Sequence, residues 1–401
     1  MQVTIRPSDC GGTIQAPPSK SDAHRLLLCA GLASGESVIH RVAPSEDLLA
    51  TMDCLRALGA TVSYDGESAV IRGADPFKMA EGAVFPCRES GSTLRFFLPL
   101  ALLSGHRSLF TGSSTLLDRP LSVYETICEE RRLLFRRSTD GLTVAGPLRG
   151  GEFTLRGDVS SQFISGLLFA LPLAKESSSL CLLPPVESLP YIRMTLRTLA
   201  RFGVAAYFED DTALRVYGGQ SYCAGCHTVE GDWSNAAFFL ALDGVTVTGL
   251  AADSLQGDKV CLAYFDALRR GAPTLDLTDC PDLAPVCMAL AAAHHGAVFT
   301  GTRRLRMKES DRGAAMAEEL KKFGAQVTPE DNRITVAPLK HAPTEILQGH
   351  NDHRIVMALA VLCRRTGGVI EGAEAVRKSL PDFFVRLRQA GVEVEQDGMD
   401  Q

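Results

Sequence analysis

No apolar run in this chain reaches the roughly 18 residues that a helix needs to span a bilayer, so no membrane partner is expected. The stretch after Met1 is polar and strand-like, without the zones of a secretory signal, and the expected location is cytoplasmic. A basic surplus is missing as well. Lys and Arg number 41 against 47 Asp and Glu, a formal net charge of −6, which argues against a nucleic-acid partner. Any anionic ligand must then be held by local basic clusters. Paired cysteines are also lacking. The 12 Cys are scattered, mostly in apolar stretches such as Leu28-Cys29-Ala30 and Val286-Cys287-Met288, where a free thiol behaves as a small hydrophobe. The exception is Cys223-Ala224-Gly225-Cys226-His227, which has the spacing of c-type haem attachment. No export signal precedes it, no Met-rich axial-ligand region stands out, and no second Cys or His pair follows at zinc-finger spacing. Reduced thiols in a cytosolic protein, with no metal site, are the expectation. Tryptophan occurs once, at Trp233, where core packing is its expected role.

What is present in quantity is apolar helix. A length of 401 residues exceeds one ordinary core, so two domains are expected, and 45% hydrophobic with 22% charged residues describes a globular chain. Six times a short polar cluster is followed at once by a helix-length stretch that is apolar nearly all round. The clusters are Ser19-Lys20-Ser21, Glu89-Ser90-Gly91-Ser92, Ser160-Ser161-Gln162, Asp232-Trp233-Ser234, Pro281-Asp282 and Asn351-Asp352-His353-Arg354. With Ser21, Gly91, Ser161, Trp233, Leu283 and His353 as markers, the spacings are 70, 70, 72, 50 and 70 residues. Such regularity marks an internal repeat.

A second helix recurs in the same period. Amphipathic segments end at Gly59, Gly203, Gly271, Gly324 and Gly391 and re-enter a strand, and glycine at that place is expected to take the left-handed helix-ending conformation. The second repeat is degenerate, since Glu129 to Arg137 keeps the charges without a terminal glycine. A helix apolar on all sides must be buried among other elements. The expected fold is therefore α/β, with two pseudo-symmetric domains of three repeated units each, helices inside and sheets outside. Rossmann and TIM-barrel folds fit worse, because neither asks for a fully apolar helix at every second position.

Helix N-termini attract anions through free N–H groups and the macrodipole. Ser, Asp and Asn are also ordinary caps that need no ligand. Basic residues beside the caps tilt the choice toward anion binding: Lys20 and Arg25 flank the first, Arg95 the second and Arg354 the sixth, where a cation is disfavoured unless an anion offsets it. Further basic runs are Asp118-Arg119-Pro120, Arg306-Met307-Lys308-Glu309-Ser310-Asp311-Arg312 and Arg377-Lys378-Ser379, which a solvated charged face would also explain. Asp282 is either a first-turn carboxylate favoured by the dipole or a base among cations.

Taken together these residues resemble the 3-phosphoshikimate 1-carboxyvinyltransferases, or EPSP synthases. The likeness runs over nearly the whole chain in motif order: Pro18-Ser19-Lys20-Ser21 with Arg25, Ser90-Gly91-Ser92-Thr93 with Arg95, Asp118-Arg119-Pro120, Gly157-Asp158-Val159-Ser160-Ser161-Gln162, Glu230-Gly231-Asp232, Pro281-Asp282, Lys308-Glu309-Ser310-Asp311-Arg312, Asn351-Asp352-His353-Arg354 and Lys378-Ser379-Leu380-Pro381-Asp382. The resemblance implies an inside-out α/β barrel in each domain, one spanning 19–230 and the other 1–18 plus 231–401, joined by two crossovers, with the active site in the cleft between them. It also implies transfer of the carboxyvinyl group of phosphoenolpyruvate to the 5-hydroxyl of shikimate 3-phosphate with release of phosphate, a step of the shikimate pathway of aromatic amino-acid biosynthesis.

By the same resemblance, Lys20, Ser21, Arg25, Ser160, Ser161, Gln162, Ser188, Asp282 and Lys308 hold shikimate 3-phosphate. Lys20, Gly91, Arg119, Gln162, Arg312, Arg354 and Lys378 hold phosphoenolpyruvate. Asp282 is the expected base, and Glu309, with Lys20, the expected acid. No cofactor is required, a monomer is expected, and glyphosate is the expected inhibitor. Three features depart from the family pattern: Arg304 where Asn is frequent, Phe96 where Pro is frequent, and the shortened stretch Arg131–Thr139. UDP-N-acetylglucosamine enolpyruvyl transferase, a rival with the same architecture, usually has a reactive Cys before its Arg-Pro motif, whereas Thr111 to Pro120 contains none. A non-catalytic sensor of phosphorylated metabolites is the rival of a different class.

Overall fold

The computed structural model describes residues 1–396 and divides the chain into two compact units, Lys20–Val229 and Met1–Ser19 with Glu230–Gln401. Each has its own apolar core. Among the described residues, the six apolar stretches form the helices Lys20–Leu32, Gly91–Ala101, Ser161–Ala170, Trp233–Leu240, Ala284–Ala293 and His353–Thr366. They are buried on every side, as their lack of a polar face demands: all of Asp22 to Leu32 is buried, and all of His353 to Cys363. Ser90, Ser160, Asp232 and Asp352 cap their helices, each accepting from a backbone N–H two or three residues on. Trp233 is 6% exposed and packs in the core of its unit.

Close packing of two buried helices depends on Gly166. A Cβ there would overlap the carbonyl of Arg95 and the hydroxyl of Tyr124. The Tyr124 hydroxyl lies 2.7 Å from the Arg95 carbonyl and 3.1 Å from that of Phe163, spanning both helices.

The sheets repeat one plan. In Lys20–Val229 the strand orders are Cys226–Thr228, Glu36–His40, Ala69–Arg72, Thr61–Tyr64; Ala83–Pro86, Arg107–Thr111, Gly141–Ala145, Leu134–Ser138; and Gly151–Arg156, Ser178–Leu183, Ala213–Val216, Ala206–Phe208. In each, the first pair is parallel and the remaining pairs are antiparallel. A parallel pair requires a crossover, which in the second and third sheets is the buried helix itself.

In the other unit the plan recurs with Thr274–Asp276, Ala297–Thr300, Arg333–Val336 and Val327–Pro329. It recurs again with Leu347–Gln348, Gly368–Glu371, Gln2–Ile5 and Val394–Gln396, where the first strand of the chain takes a hairpin place. The last sheet is only a parallel pair, Val245–Thr248 with Gly12–Gln15. Its hairpin is missing, which explains the 50-residue spacing between Trp233 and Leu283.

The glycine endings follow from the same geometry. Gly59, Gly203, Gly324 and Gly391 have φ between 73° and 110°. The residue after each donates back to the carbonyl five residues earlier, as in Ala60 to Leu55 and Val392 to Leu387. In the degenerate second repeat Arg132 takes this role at φ 56°, and Leu133 donates to Cys128. Gly271 departs from the expectation. Its φ is −177°, extended backbone, because no hairpin follows and the chain runs straight toward Thr274–Asp276. The Cys223–His227 segment contributes two short strands, Tyr222–Cys223 and Cys226–Thr228, with the His227 ring 4.4 Å from that of Phe202.

Candidate active site

Lys20 begins the first buried helix, with its ammonium 3.0 Å from Asp47 on the amphipathic helix Glu46–Leu58. One turn further, Arg25 is 2% exposed. Its nitrogens donate to the Thr195 hydroxyl at 2.9 Å, the Ser21 carbonyl at 2.6 Å and the Tyr191 carbonyl at 3.0 Å, and the guanidinium lies 5.6 Å from the Phe96 ring centre. Burial pulls its pKa down to about 10. Thr195 and Tyr191 belong to the helix Leu189–Arg201, which Ser188 opens with φ 56° and ψ 39°. That left-handed conformation is rare for a non-glycine residue and concentrates at functional positions. Arg25 thus ties Ser21 on its own helix to the helix that Ser188 opens.

A second group forms around Gly91. Gln162 accepts from Arg95 at 2.6 Å and donates to the Ser92 hydroxyl at 2.9 Å. Ser160 caps the helix that starts at Ser161, and Ser161 is buried. A Cβ on Gly91 would stand 2.9 Å from one terminal nitrogen of Arg119, 3.3 Å from one of Arg95 and 3.9 Å from the Gln162 carbonyl oxygen. Glycine is what lets these groups converge on the helix start. Among the described residues Arg25 meets a hydroxyl and two carbonyls rather than a carboxylate, and the Nε of Arg119 is buried without a hydrogen-bond partner.

In the other unit the cations converge on one carboxylate. Asp282, in the 3-10 turn Pro281–Leu283 just ahead of its helix, lies 2.6 Å from Arg312, 3.1 Å from Arg354 and 3.2 Å from Lys308. Burial alone would raise its pKa; Arg354, Lys308 and Arg312 outweigh that and hold it well below the usual carboxylate range. Arg312 is buried, yet three carboxylates surround it: one terminal nitrogen on Asp282, the other on Glu309 at 2.7 Å, and Nε on Asp352 at 2.9 Å. Burial opposes the charge, but Asp352, Glu309 and Asp282 raise the pKa above its ordinary value. Burial also lowers Lys308, against the pull of Asp282.

Lys378 donates to the carbonyl of Asn351 at 2.8 Å, next to Asp352, and so joins the same group through the backbone. Arg304 donates to the Thr278 carbonyl at 2.7 Å and is 5% exposed. Two residues that sequence reasoning did not assign are Asp47 and Asp352. Each reads as an ordinary helix-start acid, and only their cation partners, Lys20 and Arg312, distinguish them.

Among the described residues one trio, Glu318, Glu319 and His350, brings candidate metal-ligand atoms together. Both oxygens of Glu319 already accept from Lys322, at 2.9 and 3.1 Å, and His350 lies 2.8 Å from one of them, so the charge is met without an ion.

A family model described as EPSP synthase (3-phosphoshikimate 1-carboxyvinyltransferase) matches residues 5–270 and 269–387. The chain is 37% identical over 420 residues to the 3-phosphoshikimate 1-carboxyvinyltransferase of Clostridium kluyveri, covering 98% of each. It is 35% identical to that of Brachyspira hyodysenteriae, over 98% of this chain and 100% of the relative. Among solved structures, EPSP synthase from Acinetobacter baumannii aligns with a TM-score of 0.78 at 22% identity, over 98% of this chain and all of that one. The enolpyruvyl transferase NikO from Streptomyces tendae aligns with a TM-score of 0.76 at 14% identity, over 98% of each. These two likenesses speak to the fold, and the full-length relatives to the family. The chain belongs to the EPSP synthase family, the 3-phosphoshikimate 1-carboxyvinyltransferases.

Proposed function

We propose that this protein transfers the carboxyvinyl group of phosphoenolpyruvate to the 5-hydroxyl of shikimate 3-phosphate and releases inorganic phosphate. The observation that carries the reading is Asp282 ringed by Lys308, Arg312 and Arg354, with Glu309 on the same guanidinium. Arg25, buried and bonded among the described residues to a hydroxyl and two carbonyls rather than a carboxylate, supports an anionic acceptor. Lys20, Ser21, Ser160, Ser161, Gln162 and Ser188 are proposed to share that acceptor with Arg25, Asp282 and Lys308. Gly91, Arg119, Arg312, Arg354 and Lys378 are proposed to serve the donor with Lys20 and Gln162. We place the reaction in the cytoplasm, in a monomer.

In the chemistry proposed, the 5-hydroxyl oxygen bonds to C2 of phosphoenolpyruvate while its proton passes to Asp282, and the methylene carbon takes a proton from Glu309 in its carboxylic-acid form, which substrate anions favour by competing for Arg312. The resulting tetrahedral species then returns a methyl proton to Glu309 as the bond from C2 to the phosphate oxygen breaks, and the departing phosphate takes the proton held by Asp282. Cations stabilise the charge on departing phosphate. The ion pairs of Asp282 bear directly on the first step. A carboxylate held by three cations is a weak base, and substrate phosphate and carboxylate groups compete for those same cations. Binding therefore restores basicity to Asp282 where the proton must be taken.

The test is phosphate release with both substrates present. Stoichiometric release with shikimate 3-phosphate, and none with UDP-N-acetylglucosamine as acceptor, is expected. Release with the sugar nucleotide alone would assign the rival transferase, and no release with either would assign a binder.

A further inference from the structure

Between the helix that bears Lys20 and the one that begins at Gly91 runs a chain of buried polar groups with no part in the chemistry above. His24 Nδ1 lies 2.7 Å from the Thr51 hydroxyl, Thr51 lies 2.8 Å from the Thr93 hydroxyl, and Thr93 donates to the Ser90 hydroxyl at 2.7 Å. All four residues are at most 1% exposed. Ser90 is the cap of the Gly91 helix and also accepts from the Thr93 backbone at 3.2 Å. Thr51 shares its helix with Asp47, the partner of Lys20. The Thr93 hydroxyl also stands 3.4 Å from the Asp47 carbonyl.

Of the directions the distances allow, one leaves no ring N–H unpaired. The imidazole of His24 is held neutral by burial first, with Lys20 and Arg25 adding to the effect, so it carries one proton. Its Nε2 is buried without a hydrogen-bond partner among the described residues, and the Phe96 ring meets the imidazole edge-on. An orphaned N–H is rarer than an orphaned acceptor. The proton therefore sits on Nδ1 and is donated to Thr51, Thr51 donates to Thr93, and Thr93 to Ser90. Each hydroxyl has one proton, so removing the middle link leaves unsatisfied groups on both sides.

We propose that Thr51 is a positioning residue which, through His24, Thr93 and Ser90, fixes the Gly91 helix start relative to Lys20 and thereby sets the affinity for phosphoenolpyruvate. The inference rests on the reading that Lys20 and Gly91 serve that donor. Three buried hydroxyls could instead be satisfying one another with no effect on binding, and the two cases differ in what substitution does.

The experiment compares Thr51→Val, which keeps the shape and removes the hydroxyl, with Thr51→Ser, which keeps the hydroxyl. Thr51→Val is expected to raise the KM for phosphoenolpyruvate roughly tenfold while kcat stays within about twofold, and Thr51→Ser to restore the KM. A lowered melting temperature with unchanged KM, or equal effects of Ser and Val, overturns the proposal. The 15N spectrum of the wild-type histidines supplies an arm that needs neither activity nor a folded variant. His24 is expected neutral with its proton on Nδ1, and a proton on Nε2 overturns the proposed chain. An inactive wild type with the Nδ1 tautomer would place the failure in the functional reading instead.

Discussion

Asp282 and Glu309 are held on the two terminal nitrogens of the same guanidinium, at 2.6 and 2.7 Å from Arg312. The proposed base and the proposed acid are therefore spaced by one rigid planar group whose Nε is anchored on Asp352. A helix start alone would not set that spacing. Arg312 is 1% exposed in its side chain, so moving either carboxylate means breaking a partly buried, charge-assisted contact.

The first prediction concerns Asp282→Asn. The amide preserves shape but neither takes a proton nor balances Lys308, Arg312 and Arg354. Turnover is expected to fall about 10²–10⁴-fold, the range for loss of a positioned base. Circular dichroism should still show a folded protein, because the core of that unit does not include the side chain. Near-wild-type turnover in the purified variant sinks the assignment.

How much of this was legible beforehand can be judged residue by residue. The six buried helices were, since a stretch such as Leu26 to Leu32 has no polar face to show water. The 50-residue interval was visible, but not its cause, because a missing hairpin leaves no residues to read. Nor was the pairing of Gly12–Gln15 with Val245–Thr248 visible, since strand partners so distant in sequence are chosen by the whole fold. The cations of the site stood out beside helix caps. Asp47 and Asp352 did not, because capping and dipole effects explain an acid at a helix start without any partner.

The low pKa of Asp282 makes a prediction about acid stability. Its folded value lies below the unfolded one, so its contribution is fully present above about pH 4 and is lost as pH falls through the folded value. The difference in melting temperature between wild type and Asp282→Asn should be constant from neutral pH to about pH 5 and close in more acid solution. A gap that stays constant into strong acid contradicts the ion pairing.

His24 is shifted in the same direction and acts at a higher pH, held neutral where Asp282 is held charged. Burial lowers its pKa well below the ordinary value, so the unfolded chain binds the proton more readily. Its stabilising effect is complete above about pH 6.5 and declines as pH falls from there. Replacing it by Asn should flatten the stability profile between about pH 6.5 and pH 5, measured as melting temperature against pH. An unchanged slope rules out a buried neutral imidazole.

Arg25 is a buried cation satisfied by a hydroxyl and two carbonyls rather than by a carboxylate. An apolar replacement there removes a desolvation cost, so Arg25→Met should be as stable as wild type or slightly more so without ligand. Saturating shikimate 3-phosphate should raise the melting temperature of wild type, by about 2.7 kcal/mol of stabilisation at a hundredfold excess over Kd. It should leave Arg25→Met unmoved. An equal ligand shift in both proteins removes Arg25 from the acceptor site.

Gly91 leads to the last prediction, that glyphosate inhibits in competition with phosphoenolpyruvate and that Gly91→Ala weakens the inhibitor more than the substrate. Both molecules are anionic at each end and suit the cations proposed for the donor. Glyphosate is the longer, and the added methyl of alanine would stand 2.9 Å from Arg119 and 3.3 Å from Arg95. Both neighbours are ends of flexible side chains and can retreat by a few tenths of an ångström, so the helix itself should persist. Their retreat would shift Arg119, one of the cations proposed for the donor, and the methyl would shorten the space over the helix start. The substrate needs the cations but not the extra length, and the inhibitor needs both. KM for phosphoenolpyruvate is therefore expected to rise a few-fold and the inhibition constant by roughly tenfold or more, as for a lost positioned contact. An inhibition series at fixed shikimate 3-phosphate and low donor measures both. Insensitive wild-type enzyme, or parallel changes in the two constants, removes the steric argument, because a methyl that displaced only the cations would weaken both ligands alike.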